Sequence, residues 1–175
     1  MGTIRGLPER RFKELLQKIV DEDYPCLGIC YGSSLIAHQQ GSELSKDFAE
    51  SVGPVSVNLT DAGKQDRLLK GVPSQFTALT GHHEGVARLS SNAVLLASAS
   101  ACPVEIFRYG NNVYCIQFHP EAVARNWEVR IRLYFNHGYF EPHEADELIR
   151  AAYAADVRWP RHILRNFAQV YKVSA

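Results

Sequence analysis

The segment Gly28-Ile29-Cys30-Tyr31-Gly32 has the residue types that a cysteine nucleophile requires at a sharp turn. It follows a short apolar run that predicts a buried strand and precedes a stretch that predicts a helix. Glycines two residues before and after Cys30 would let the two elements approach closely around a strained backbone. The thiol would lie at a helix N-terminus, which favours the thiolate, and the Tyr31 N–H would face a developing oxyanion. Taken alone, the pattern also fits a small core cysteine between packing glycines.

A second apolar strand, predicted over 113–118, leads directly into His119-Pro120-Glu121. In extended backbone, His119 and Glu121 would point to the same side, because side chains alternate along a strand. This arrangement suits a base and the carboxylate that orients it, with the other imidazole nitrogen facing a thiol. An isolated tripeptide of this kind would indicate a surface turn. Together with Cys30 it is far more specific, because both clusters follow predicted strands, and sites form at the carboxyl edge of open parallel sheets.

The elements that must position these residues alternate between the helical and the strand period. Asn111-Asn112, between the last two strands, predicts a tight hairpin turn. We therefore expect one domain over 1–175, with an α/β core over 1–122 and C-terminal helices over 123–175. The patterns predict helices over 8–22, 32–40, 123–138, 142–155 and 160–172, and strands over 25–30, 52–59, 76–79, 94–98, 104–109 and 113–118.

Composition excludes several classes of protein. The chain has 175 residues, a mass of 19.6 kDa and 46% hydrophobic residues, which is enough for a folded core. Nineteen basic and nineteen acidic residues give no net charge, so we do not expect a nucleic-acid binder. No apolar run approaches the ~20 residues of a membrane span, and no signal-peptide core is present, so we expect a cytoplasmic protein without a membrane partner. The four cysteines show no C-x-x-C pair, so neither a disulfide scaffold nor a metal site is expected.

The stretch 25–32 followed by Gln117-Phe118-His119-Pro120-Glu121 resembles the class-I, triad-type glutamine amidotransferases. The resemblance covers most of the chain, and residues 137–140 with the following helices are similar to the tail of stand-alone GMP synthase-like members. It implies a Cys30–His119–Glu121 triad that releases ammonia from glutamine without a cofactor. It also implies a flavodoxin-like three-layer α/β/α fold with a mainly parallel sheet, and a partner protein that accepts the ammonia.

The same resemblance assigns further site residues. Thr80 to Val86 is similar to a segment whose backbone helps to hold glutamine, which makes His82 and His83 candidates for substrate binding. From the residues alone, the adjacent histidines could suggest a metal site. However, adjacent side chains diverge, and no third ligand is evident from spacing. Gly2-Thr3 precedes the nucleophile strand at the distance of the family's oxyanion loop. The resemblance therefore implies a fold shortened by a first β-α-β unit. Because the loss of that unit would expose part of the sheet, a homodimer that covers it is a further expectation.

One departure from the family leaves alternatives open. Ser34 stands where the family has a glutamine that touches the substrate, so the substrate could instead be a γ-glutamyl peptide or a related γ-glutamyl compound. The shortened fold suggests a second alternative, a catalytically silent regulatory partner, although an intact triad argues against it. Outside the motifs, Trp127 is expected to pack the helical tail. Arg125, Arg130 and Arg132 are expected to form a solvated face or a partner surface.

Overall fold

The computed structural model describes residues 7–135 and 139–172, with side chains from residue 10 onward. The predicted positions Gly2, Thr3 and His137 lie outside the described residues. In these ranges the α-helices are α1 (Leu7–Asp21), α2 (Tyr31–Gln39), α3 (Asp61–Gln65), α4 (Ala124–Leu133), α5 (Ala145–Ala154) and α6 (Arg158–Val170). Eight strands are β1 (Cys26–Ile29), β2 (Glu43–Ser45), β3 (Glu50–Leu59), β4 (Gln75–His82), β5 (Gly85–Arg88), β6 (Ala93–Ser98), β7 (Ile106–Tyr109) and β8 (Val113–Ile116).

Six strands form one sheet in the order β1-β8-β7-β6-β3-β4, and β2 and β5 form a separate two-stranded sheet. The expectation of a mainly parallel sheet is wrong for the described strands, because only β1 and β8 pair in parallel. The physical reason lies in the connections. Strands β6, β7 and β8 follow one another through short links that make neighbouring strands run antiparallel. The predicted hairpin is confirmed: Tyr109 pairs with Val113 across a turn that contains Gly110, whose φ is +52°.

Helices cover both faces of the large sheet, which confirms the expected three-layer architecture. Val113 and Cys115 of β8 face a core shared with α1 and α2, whereas Tyr114 and Ile116 face a core shared with α6. This alternation is the two-residue period of a strand with both faces buried. A third apolar cluster joins α4 and α5 to the end of β4, through Trp127, Ile131, Ala152 and Leu79.

The C-terminal helices are part of the packed structure. Asn166 of α6 is buried, and its side-chain amide donates to the carbonyls of Leu68 and Lys70 at 2.8 and 2.9 Å. Ile163, on the same helix, is completely buried in the core. Among the helices within 7–135 and 139–172, none has the length and apolar character that a membrane span requires.

Candidate active site

Cys30 occupies a sharp turn between β1 and α2. Its φ of 48° and ψ of −107° lie in a region that residues with a Cβ rarely adopt, which is a strained conformation typical of functional sites. The Cys30 N–H donates to the carbonyl of Ile116 at 2.8 Å, so β8 holds the turn from one side. The Cys30 carbonyl accepts the first hydrogen bond of α2, from the Ser34 N–H at 3.1 Å. The predicted strand-turn-helix at the thiol is therefore present.

The two flanking glycines differ in what they do. A Cβ on Gly28 would lie 2.8 Å from Cδ1 of Ile36 and 3.2 Å from the Gly32 carbonyl group, so close packing of β1 against α2 requires glycine there. A Cβ on Gly32 would meet no atom within 4 Å. The expectation that packing requires glycine on both sides is therefore wrong at Gly32, because that position faces open space.

His119 and Glu121 follow β8 and lie in direct contact. Nδ1 of His119 is 2.8 Å from Oε1 of Glu121, so Glu121 accepts from that nitrogen and Nε2 is left for a thiol. The backbone N–H of His119 donates to the carbonyl of Leu79 at 2.9 Å, which ties the segment to β4. Because β8 lies beside β1 in parallel, the histidine and Cys30 emerge at the same edge of the sheet.

The structure adds Arg130 of α4 to this pair. Its Nη2 donates to Oε1 of Glu121 at 2.9 Å, and its Nη1 lies 3.0 Å from Nδ1 of His119. The guanidinium also lies 5.5 Å from the ring centroid of Trp127, and that ring is 5.5 Å from the His119 ring. The expectation of a wholly solvated arginine face is therefore wrong for Arg130. Three-residue helical spacing places Trp127 and Arg130 on one face, but the sequence does not indicate that this face covers the triad.

Burial and hydrogen bonding shift the pKa values of His119 and Glu121 in opposite directions. Burial lowers the pKa of His119, but its hydrogen bonds with Cys30 and Glu121 outweigh burial and raise the pKa to about 9. Burial raises the pKa of Glu121, yet hydrogen bonds from His119, its own backbone and Arg130 lower it to about 2. At neutral pH the site therefore holds an imidazolium between a sulfur and a carboxylate.

A cavity of about 450 Å³ opens on these residues. Its walls are mostly apolar and aromatic, which is typical of sites that bind small molecules. Gly81, from the segment predicted to hold substrate, is part of the wall. The lining consists of Cys30, Val52, Gly81, His119, Trp127, Arg130, Ile131, Leu133, Tyr134, Tyr139 and Phe140.

The other predicted substrate residues do not line this cavity. Ser34 is 5% exposed within α2. His82 is buried against Glu50, and His83 stacks on Tyr139 with ring centroids 4.4 Å apart. Their predicted roles in substrate binding stay predictions. Tyr31 begins α2, so its N–H belongs to the first turn, whose N–H groups have no partner within the helix.

The chain is similar to known proteins over much of its length. Residues 6–138 match the family model described as glutamine amidotransferase class-I. The chain is 34% identical to a subunit of the glutamine-hydrolysing GMP synthase of Thermoplasma volcanium over 105 residues, which cover 59% of this chain and 50% of that protein. It is 33% identical to the glutamine-hydrolysing GMP synthase of Aeropyrum pernix over 121 residues, which cover 69% of this chain and 22% of that protein. The chain thus spans half the length of the first relative and less of the second.

A solved structure supports the fold. A glutamine amidotransferase from Thermotoga maritima superposes with a TM-score of 0.77 at 21% identity, covering 98% of this chain and 76% of that one. At this identity the likeness concerns the fold alone. It confirms the flavodoxin-like α/β architecture with added C-terminal helices.

Proposed function

The chain belongs to the class-I glutamine amidotransferase family, and on that premise we propose that it hydrolyses the side-chain amide of glutamine through a thioester on Cys30. The observation that carries this proposal is the 2.8 Å contact between His119 and Glu121, beside a strained cysteine that lines the same cavity. A buried imidazole that a carboxylate orients is the arrangement that activates a thiol nucleophile.

The first step forms a bond between carbon and sulfur. The thiolate of Cys30 attacks the amide carbonyl carbon, and the carbonyl electron pair moves onto the oxygen. The N–H of Tyr31 stabilises that oxyanion, and by resemblance Gly2 or Thr3 supplies a second donor. Loss of one such donor typically costs about 10²–10³ in rate.

The second step breaks the carbon–nitrogen bond. The imidazolium of His119 donates its proton to the leaving nitrogen, ammonia departs and a γ-glutamyl thioester remains. Neutral His119 then takes a proton from water, the resulting hydroxide attacks the thioester, and glutamate leaves as the thiol is restored. Glu121 keeps one tautomer of His119 throughout, and its low pKa keeps it charged.

The ammonia requires an acceptor. The Thermoplasma volcanium relative is named as one subunit of a glutamine-hydrolysing GMP synthase, so we propose that this chain also delivers ammonia to a separate synthetase protein. The association of this chain with a synthetase protein, and the synthetase as the acceptor of the ammonia, are both part of the proposal.

Ammonia and glutamate release from L-glutamine tests the reaction, with Cys30→Ala as the decisive variant. Cys26→Ala is the matched control, because Cys26 begins the strand that leads to Cys30 and does not line the cavity. We expect the wild type and Cys26→Ala to release equal amounts of both products, and Cys30→Ala to release neither. Hydroxylamine should intercept the thioester as γ-glutamyl hydroxamate in the two active proteins. Ammonia release that persists in Cys30→Ala would refute the thiol mechanism.

A second candidate substrate is a γ-glutamyl peptide or amide. The aromatic, mostly apolar cavity wall favours it, because such a wall suits a leaving amine larger than ammonia. The ratio of kcat/KM for a γ-glutamyl amide of an aromatic amine to that for glutamine decides between them. A ratio well above one would favour the second candidate, and a ratio well below one would reject it.

A further inference from the structure

A second cluster of reactive side chains lies outside the triad. One ligand atom from each of Glu50, His82 and Cys102 lies within 4.8 Å of the others, and all three residues are buried. Nε2 of His82 is 3.0 Å from Oε2 of Glu50, and the side chains of this pair are 5% and 3% exposed. Nδ1 of His82 is 2.9 Å from the backbone carbonyl of Glu84. That carbonyl can only accept, so Nδ1 carries the proton and Nε2 is the nitrogen that faces the cluster.

The fold holds these residues together from distant parts of the chain. Glu50 begins β3 and His82 ends β4, and the two are direct partners in the antiparallel pairing. Cys102 lies between β6 and β7 and is completely buried. A Cβ on Gly85 would lie 3.1 Å from its sulfur and 2.7 Å from the Phe48 carbonyl oxygen, so the surrounding loops pack closely around the thiol.

The cluster also contains acceptor atoms that no described hydrogen bond satisfies. Oε1 of Glu50 and both carboxyl oxygens of Glu105 are buried without a hydrogen-bond partner. Glu105 is completely buried and adjoins Glu50. Buried acidic groups that remain unpaired are costly unless they hold a proton or a metal ion.

We propose that Glu50, His82 and Cys102 bind one Zn²⁺ ion. A thiolate sulfur, an imidazole nitrogen and a carboxylate oxygen are ligands that Zn²⁺ takes in tetrahedral sites. The mixture of sulfur and nitrogen disfavours Mg²⁺ and Ca²⁺, which prefer oxygen. The carbonyl that accepts from Nδ1 of His82 is the kind of outer partner that orients metal-bound histidines.

The proposed binding of Zn²⁺ conserves charge and protons. The Cys102 thiol loses its proton to the solvent as the zinc–sulfur bond forms. The charges of the Cys102 thiolate and the Glu50 carboxylate then offset the two positive charges of the ion. The site shares no residue with the triad. It would fix the end of β4 at His82, next to Gly81 in the cavity wall.

Metal analysis of the full chain tests the proposal. The protein is purified without a polyhistidine tag and carries Cys30→Ser, which removes the thiol of the proposed active site. We expect about one zinc per chain by elemental analysis. After removal of the metal with a chelator, Co²⁺ should restore a tetrahedral spectrum with a thiolate-to-metal charge-transfer band, and Zn²⁺ should abolish that band and release protons.

Matched cysteine variants locate the ligand. Adding Cys102→Ser should remove the charge-transfer band and stoichiometric zinc. Cys115→Ser should retain both, because Cys115 is equally buried but packs in the core with α1 and α2. The proposal is overturned if the parent protein lacks zinc and gives no thiolate band with Co²⁺, or if the band survives in Cys102→Ser. If Cys102→Ser does not fold, His82→Asn is used in its place. The cobalt spectrum and the proton release of the parent protein then still show whether a thiolate binds the metal.

Discussion

Replacing Glu121 by glutamine should lower the pH at which His119 loses its proton. Glu121 accepts from Nδ1 of His119 at 2.8 Å and remains charged, because its pKa is about 2. Glutamine keeps the shape and an acceptor oxygen but removes the negative charge. The imidazolium then loses one of the two partners that stabilise it, while the Cys30 partner remains.

The magnitude follows from the pKa of His119. Its rise from the ordinary 6.5 to about 9 corresponds to about 3.4 kcal/mol in favour of the imidazolium, at 1.36 kcal/mol per pH unit. Cys30 and Glu121 share this effect and also overcome the opposing effect of burial. An opposite charge at this distance typically moves a pKa by about 1–3 units, so we expect the variant to titrate about 1–2 units below the wild type. Because the folded state raises the pKa, this contribution to stability is present below pH 6.5 and is lost as the pH rises through about 9.

The assay is the titration of imidazole nitrogens by NMR, with His119→Asn to assign the signal. One histidine of the wild type should keep its second proton up to about pH 9, and the same signal in Glu121→Gln should titrate lower. Glutaminase activity should follow, with its alkaline limb at a correspondingly lower pH and a rate about 10²–10⁴-fold lower, because the imidazole loses the carboxylate that orients it. A wild-type His119 that titrates near 6.5, or an unchanged titration in Glu121→Gln, would refute the reasoning.

Two further comparisons test the packing and the electrostatics around the triad. Gly28→Ala should cost about 1–3 kcal/mol in the free energy of unfolding, because its Cβ would lie 2.8 Å from a packed side chain. Gly32→Ala should stabilise by about 0.5–1 kcal/mol, because alanine loses less backbone entropy than glycine in a helix and its Cβ meets no other atom. Urea unfolding measures both changes, and equal effects of the two variants would contradict the distinction. Arg130→Met should raise the pH at which the triad histidine deprotonates, because a guanidinium 3.0 Å from Nδ1 opposes the imidazolium. Arg125→Met, on the exposed side of α4, is the control and should leave that NMR titration unchanged.

The residues predicted most accurately from sequence are those whose neighbours along the chain specify their environment. The turn at Cys30 could be predicted because an apolar strand, two glycines and a helical pattern occur within a few residues. The contact between His119 and Glu121 follows from two-residue spacing after a strand. The hairpin between β7 and β8 follows from its turn residues, although Gly110 adopts the left-handed conformation and the predicted asparagines do not.

The features that sequence reasoning missed depend on long-range docking. The strands β2 and β5 have only three and four residues and pair with each other, so their periodicity is too short to identify them. The approach of Arg130 to Glu121 depends on how α4 lies over the sheet. The cluster of Glu50, His82 and Cys102 joins positions that have no common spacing in the chain.

The parallel pairing of β1 with β8 connects the fold to the proposed chemistry. Gly28 lies opposite Cys115 and Ile29 opposite Ile116, so both strands end together, with Cys30 and His119 just beyond. A slip by one residue would turn the side chains of β1 to the opposite face. It would also break the 2.8 Å hydrogen bond from the Cys30 N–H to Ile116 that holds the strained turn. The antiparallel remainder of the sheet does not disturb this geometry, because the site depends on this parallel pair and on the end of β4, which supplies Gly81.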